Sequence, residues 1–378
     1  METQGITRRQ LSAVAFVAAL TPSTRLLPGY CAAVSGRAAW LCPLAALPGA
    51  LLIAACVCAV MRRRSPGEGL AAVALKLLGR PLGGALLAAY SLWLVFYAAF
   101  SLRSASSRFT VAIYPGTAPW PFIAVGAAMS LAAALGKVRA LGRSAEIFKA
   151  LLVLALALIL AMGFAQLDAG ALAPVTAEDA LPVLRGAPPA MGILGLLLVN
   201  TAFIESDAPL RPGRWAASAR WCALMALLCS LIVAVTLGSF GAELTAHFDL
   251  PFFTFVKNIS VSGIAERLEA LITAFWVFSD FVMCSLALTA ASGALRLAFA
   301  LPERPEGEGL FSRGRWLTWL CAAAAALTAS LMAPTDFALA LYSERIVPAL
   351  NLAMVALLLV PLTLAALLRG PASPARSR

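Results

Sequence analysis

Residues 9–33 read RQLSAVAFVAALTPSTRLLPGYCAA, an apolar run long enough to cross a bilayer but broken in its middle by Thr21-Pro22-Ser23-Thr24-Arg25. Pro22 removes a backbone donor and crowds the preceding turn, so a helix here is expected to kink or unwind. Thr21, Ser23 and Thr24 can satisfy the backbone groups thus freed, or present hydroxyls to a ligand. Arg25 at membrane depth is costly and is expected to face the bundle interior or a water-filled cavity.

The rest of the chain has the same character. Of its 378 residues 61% are hydrophobic and 12% charged, and its mean hydropathy is +0.89. A soluble domain carries about 25% charged residues, so the solvent of this chain is lipid. A span needs roughly 20 mostly apolar residues. The candidates are 9–33, 38–61, 83–104, 119–136, 145–166, 188–205, 217–240, 268–298, 316–333 and 346–368. The net charge of +11 sits in short basic clusters between these runs, a placement that fits membrane orientation better than phosphate binding. With the N-terminus inside, most of the 29 Lys and Arg fall on inside segments, among them Arg62, Arg63, Arg64, Lys137, Arg139 and Arg143. Arg103, Arg108 and Arg345 are placed on or near outside segments. Both termini are therefore expected in the cytoplasm, which requires an even number of spans. Residues 1–370 are read as one transmembrane domain and 371–378 as a short cytoplasmic tail.

Three connections are long enough to carry structure. Residues 66–80 read as an amphipathic surface helix before the third span. Residues 167–187 are polar and proline-bearing. Residues 248–267 mix aromatics with charges, and a short helix is expected there across the outer mouth, apolar face inward.

The sixth span opens on Pro188-Pro189 and passes Gly192 and Gly195 before Asn200-Thr201 and Glu205. Glycines so spaced allow unwinding or close helix approach. Spans one and six correspond if the chain is two repeats of five, about 9–166 and 188–368. Interruptions at matching places in two halves point to a midplane site, although glycine and proline also serve packing in membrane helices. Thr21, Pro22, Ser23, Thr24 and Arg25 are thus set against Gly192, Gly195 and Asn200 as ligand-binding candidates. Arg25 either holds a ligand carboxylate bidentately or forms an ion pair with Asp280. Asp280, with Ser279 beside it, lies mid-span in the eighth helix. Such a carboxylate can bind a ligand amine, carry a proton or cation, or close an internal salt bridge. Tyr97 and Trp276 either wall the pocket or simply pack. Glu205 and Asp207 are placed at the inner end of span six.

Catalytic signatures are missing. There is no HExxH or GxSxG, and Gly136-Lys137 has Leu131 where a phosphate loop needs its first glycine. The only histidine, His247, reads as solvated. The eight cysteines lie mostly inside apolar runs without CxxC pairing, so no metal or cofactor is expected.

Several motifs, in shared order, resemble the spore germination permeases, a branch of the amino acid–polyamine–organocation transporter superfamily. They are Ile6-Thr7-Arg8-Arg9-Gln10-Leu11, Leu27-Pro28-Gly29-Tyr30, Ala39-Trp40-Leu41 and Leu135-Gly136-Lys137. Further along come Arg143-Ser144-Ala145-Glu146-Ile147-Phe148, Pro188-Pro189, and Glu266-Arg267-Leu268-Glu269-Ala270-Leu271 running into Phe275-Trp276. The resemblance implies an all-α, ten-helix fold of the LeuT type, with a 5+5 inverted repeat and broken helices one and six. It implies a nutrient site between those helices, flanked by the third and eighth spans. It also implies a germinant receptor subunit in the inner membrane of the spore, working with a larger A-type membrane subunit and a C-type lipoprotein. The ligands the resemblance implies are amino acids, or sometimes other small nutrients. This chain departs from the pattern at Thr21-Pro22-Ser23 and Arg25, where small residues are expected, and at Leu196, where an acid is expected. An ion-coupled amino acid transporter is the alternative, and a scaffolding subunit with a decayed pocket is a third reading.

Overall fold

The computed structural model describes residues 6–65, 67–112, 114–204, 214–259, 265–301 and 313–369, and all regular structure among them is helical. Ten principal helices follow in order. They are α1 (Arg8–Ser35), α2 (Leu47–Met61), α3 (Leu70–Ala112), α4 (Trp120–Leu135) and α5 (Val138–Ala165), then α6 (Pro188–Phe203), α7 (Arg214–His247), α8 (Ala265–Ala298), α9 (Trp316–Leu331) and α10 (Val347–Leu368).

Among the described residues seven runs are long and apolar enough to cross a membrane, and α4 and α9 are shorter apolar helices of 16 residues. The apolar run Arg8–Met61 has 54 residues. As a single helix it would extend about 80 Å, far beyond the roughly 30 Å hydrocarbon core. Gly36, at φ +52°, ends α1, and the tight turn Gly36–Leu41 separates it from α2, so the run crosses twice. The large side chains that α5 and α10 leave exposed, such as Ile147, Leu154, Leu364 and Leu367, are those a lipid solvent would cover.

Two helices carry an internal glycine break. In α3, Gly79 (φ +76°) divides residues 70–78 from the span proper. That first segment buries Leu70, Val73, Ala74 and Leu77 and exposes Lys76, as expected of the surface helix at 66–80. In α7, Gly241 (φ +74°) precedes a final turn. The helix Pro251–Asn258 then buries Phe252, Phe253, Phe255 and Val256, the apolar face expected within 248–267.

The third span differs from its expected bounds. Hydropathy falls after Leu102, yet α3 continues to Ala112. The polar stretch Arg103–Arg108 stays helical because it lies inside the protein, not in a solvent loop: Arg103 and Arg108 are both buried. Arg103 donates twice to the carbonyl of Ala333, a residue at φ +49° in the turn after α9. Glu205, Asp207 and the 371–378 tail lie outside the described residues.

At the centre of the bundle α1 packs on α5, α6, α7 and α8, while α8 runs along α3 and α10 along α6. Close approach of α6 to its neighbours explains its glycines. A Cβ at Gly192 would lie 3.3 Å from the carbonyl oxygen of Pro348, and one at Gly195 would lie 2.8 Å from Ile53 Cδ1.

Candidate functional site

The site begins at the interrupted ladder of α1. Pro22 and Pro28 both lie inside α1, which remains helical from Arg8 to Ser35. The expected break therefore takes the form of lost hydrogen bonds without unwinding. Pro22 offers no N–H to the carbonyl four residues back. One step earlier, a hydroxyl from α8 enters the ladder: the Thr21 N–H donates to Ser279 Oγ at 2.9 Å, and that hydroxyl donates to the Val17 carbonyl at 2.7 Å. Two further bonds bind the same seam, from Thr21 Oγ1 to the Trp276 carbonyl (3.4 Å) and from Trp276 Nε1 to Thr24 Oγ1 (3.2 Å). Side chains inserted into a helical ladder are a recognised cause of kinks.

Beside this seam lies a cavity of about 30 Å³, room for a water or two, between α1, α3, the start of α6, α8 and the start of α10. From α1 it takes Thr21, Pro22 and Arg25, and from α8 Asp280. From α3 come Tyr97, Ser101, Ser104 and Arg108, spaced as one helical face. Pro189 and Ile193 of α6, with Ser343, Pro348 and Asn351, close the far wall.

The charges are arranged as follows. Asp280 pairs with Arg108 in a buried salt bridge, and the Arg108 guanidinium also lies over the Trp276 ring, 5.2 Å from its centroid. Arg25 instead donates to Ser343 Oγ at 2.6 Å and stacks on Phe100 at 5.6 Å. Ser343 sits in a π-helical turn, Tyr342–Ile346, leading into α10; such turns are frequent at functional sites. The ion pair considered from sequence between Arg25 and Asp280 is thus replaced by one from Arg108. Among the described residues, three buried polar atoms of the lining have no hydrogen-bond partner: Arg108 Nη1, Ser104 Oγ and Asn351 Oδ1.

Of the residues nominated from sequence, Thr21, Pro22, Arg25, Tyr97 and Asp280 meet in this cavity. Thr24, Trp276 and Ser279 stand behind it as the α1–α8 seam. Ser23 faces α7, where it accepts from Cys229 Sγ at 3.4 Å. Gly192 and Gly195 serve helix packing, and α6 is helical through both, so neither offers unwound amides. The short helix Ala180–Gly186 leads into α6 through Ala187, whose backbone stays helical at φ −73° and ψ −34°, so the proline pair costs span six hydrogen-bond donors but does not unwind it. Asn200 is buried lower in α6 and accepts from the Tyr90 hydroxyl at 2.9 Å. Arg108, Ser104, Ser343 and Asn351 were not nominated. A helical reading of 97, 101, 104 and 108 identifies the first two, but nothing in the sequence brings Ser343 to Arg25.

Two larger cavities flank the centre. One of about 450 Å³ is lined by Tyr30, Glu344 and Arg345 and shares Pro189 and Pro348 with the central one. The other, about 170 Å³, lies at the opposite end of α1 between Arg8, Ser12, Arg64, Thr201 and Trp221. Among the described residues no group of acids, histidines and cysteines has the makings of a metal site.

A helical bundle of this kind, with a charged cavity on its first span, has the fold of LeuT-type transporters. MhsT, solved in complex with L-phenylalanine, superposes with a TM-score of 0.56 at 14% identity, over 97% of this chain and 99% of MhsT. A Na⁺-coupled sialic acid symporter in its substrate-bound outward-open state gives 0.58 at 12% identity, over 93% and 85%. At such identities the likeness is one of fold. The chain belongs to the spore germination protein family, whose pattern it matches over residues 5–336. It is a transporter-like, multi-pass membrane protein. No curated protein matches it.

Proposed function

We propose that this chain is the membrane subunit of a spore nutrient germinant receptor, resident in the inner spore membrane with both termini cytoplasmic. In this reading a small nutrient, an amino acid, enters through the vestibule beside Glu344 and settles in the cavity between α1, α3, α8 and α10. Its occupancy shifts a conformational equilibrium that the A-type and C-type subunits read. A ligand achieves this only through different affinities for the two states. The observation that carries the proposal is the charged cavity itself, where Arg25, Arg108 and Asp280 meet beside the α1–α8 seam in the interior of the bundle. A deletion strain is expected to lose germination with one class of nutrient while uptake of that nutrient stays normal. Unimpaired germination across a nutrient panel would sink the proposal.

An ion-coupled amino acid transporter is the second reading, favoured by the pair of cavities at opposite ends of a closed centre. Protein in liposomes would then accumulate labelled amino acid under a proton or sodium gradient, and Asp280→Asn would abolish accumulation. Saturable binding without flux separates the receptor from the transporter.

A further inference from the structure

The charges lining the central cavity do not balance. Arg25, Arg108 and Asp280 are the charged residues in its wall, and Asp280 is already matched to Arg108. Arg25 has a hydroxyl and an aromatic face for company, and among the described residues no carboxylate lies within ion-pair distance of it. Glu344, the neighbour of Ser343, lines the wider vestibule and stays exposed. A positive charge in a bundle surrounded by lipid is costly unless an anion meets it. The free edge of Arg108, its Nη1, lines the same cavity.

We propose that the cavity selects a small carboxylate of net negative charge, whose carboxyl group pairs with Arg25 and reaches Nη1 of Arg108. This rests on the central cavity being the nutrient site. A zwitterion with a neutral side chain brings no net charge and leaves the excess positive charge in place. A monoanion cancels it. Asn351, whose amide already meets the Tyr97 side chain, offers Oδ1 as an acceptor, and Ser104 Oγ can donate or accept. The ligand class is therefore an acid with a hydroxyl or ammonium group near its carboxylate: a small hydroxy acid, or an amino acid with an acidic side chain. Access runs from the vestibule past Pro189 and Pro348, and the cavity must widen to admit such a molecule.

The test uses full-length protein purified in detergent and calorimetric titration with L-lactate, L-aspartate and L-alanine. At least one of the two anions is expected to bind about tenfold or more tightly than L-alanine. Arg25→Gln should remove that preference. Arg25→Lys, which keeps the charge and loses the planar fork, should retain part of it. Thermal unfolding of each unliganded variant reports whether it is folded. If L-alanine binds as tightly as both anions and the cavity-filling Ser104→Leu abolishes its binding, the nutrient site stands and the charge selection is wrong. If binding of every probe survives Ser104→Leu, the cavity is not the nutrient site and both readings fall. No binding of any probe to the wild-type protein likewise overturns both.

Discussion

At the scale of single residues, the Arg108–Asp280 pair sets the character of the site. Both groups are buried, and each has the other as its ionic partner. Breaking such a pair strands a charge and costs roughly 3–5 kcal/mol, whereas exchanging both members for apolar groups of similar volume is often neutral. Arg108→Gln alone is thus expected to lower thermal stability in detergent markedly, by about 3 kcal/mol or more. The double replacement Arg108→Met with Asp280→Leu should recover most of that loss yet leave no response to nutrient. Equal melting of the single and double variants would show that the pair is not coupled as described. Asp280 was legible from sequence because an acid in the middle of an apolar run stands out. Arg108 was not: it follows Arg103 and four small polar or alanine residues, so hydropathy ends the span before it, and only the packed interior reveals that the helix goes on.

At the scale of elements, the interrupted first span was legible in kind but not in form. Pro22 signals lost hydrogen bonding from sequence alone. Whether the helix unwinds depends on what braces the ladder around the gap, and here a single hydroxyl from α8 bridges the step just before it. Ser279→Ala removes both of its bonds, to the Thr21 N–H and the Val17 carbonyl, but those two groups belong to one helical turn and can close on each other. The expected cost is about 1 kcal/mol rather than that of two orphaned groups. Pro22→Ala supplies the missing N–H, so α1 is expected to stiffen. Its melting temperature should rise while the nutrient concentration needed for half-maximal germination also rises. A destabilised Pro22→Ala protein would mean that the proline ring itself is needed for packing against the cavity. The glycines of α6 illustrate the opposite ambiguity. Spacing alone allowed unwinding or close approach, and the choice was made by Pro348 and Ile53, which lie far away in sequence.

At the scale of the molecule, the two ends of the bundle differ in chemistry. Arg9 pairs with Glu146 at 3.2 Å, Arg63 donates to the Ala366 carbonyl, and Arg369 donates to the Lys76 carbonyl. These contacts gather the starts of α1 and α5 and the ends of α2 and α10 at one basic end, which also holds the cavity beside Arg8 and Arg64. The vestibule with Tyr30 and Glu344 lies toward the other end of α1. Residues 70–78 form the first segment of α3, ahead of the Gly79 break, and the helix Pro251–Asn258 precedes α8, so the third and eighth spans are each introduced by a short helix. The Gly79 and Gly241 breaks have almost the same backbone angles, φ +76° and +74°, but Gly79 follows the first of these short helices and Gly241 comes before the second. In the proposed orientation the basic end faces the cytoplasm. Seven of the eight cysteines are buried, so single cysteines can be introduced into the otherwise unaltered chain. In vegetative cells made to express the protein in the plasma membrane, a membrane-impermeant maleimide is expected to label Glu344→Cys in intact cells, and Ser218→Cys only in inverted vesicles. A bound nutrient should protect Glu344→Cys, because the vestibule is its route to Arg25. Labelling of Ser218→Cys in intact cells would reverse the orientation and move the nutrient entrance to the opposite face.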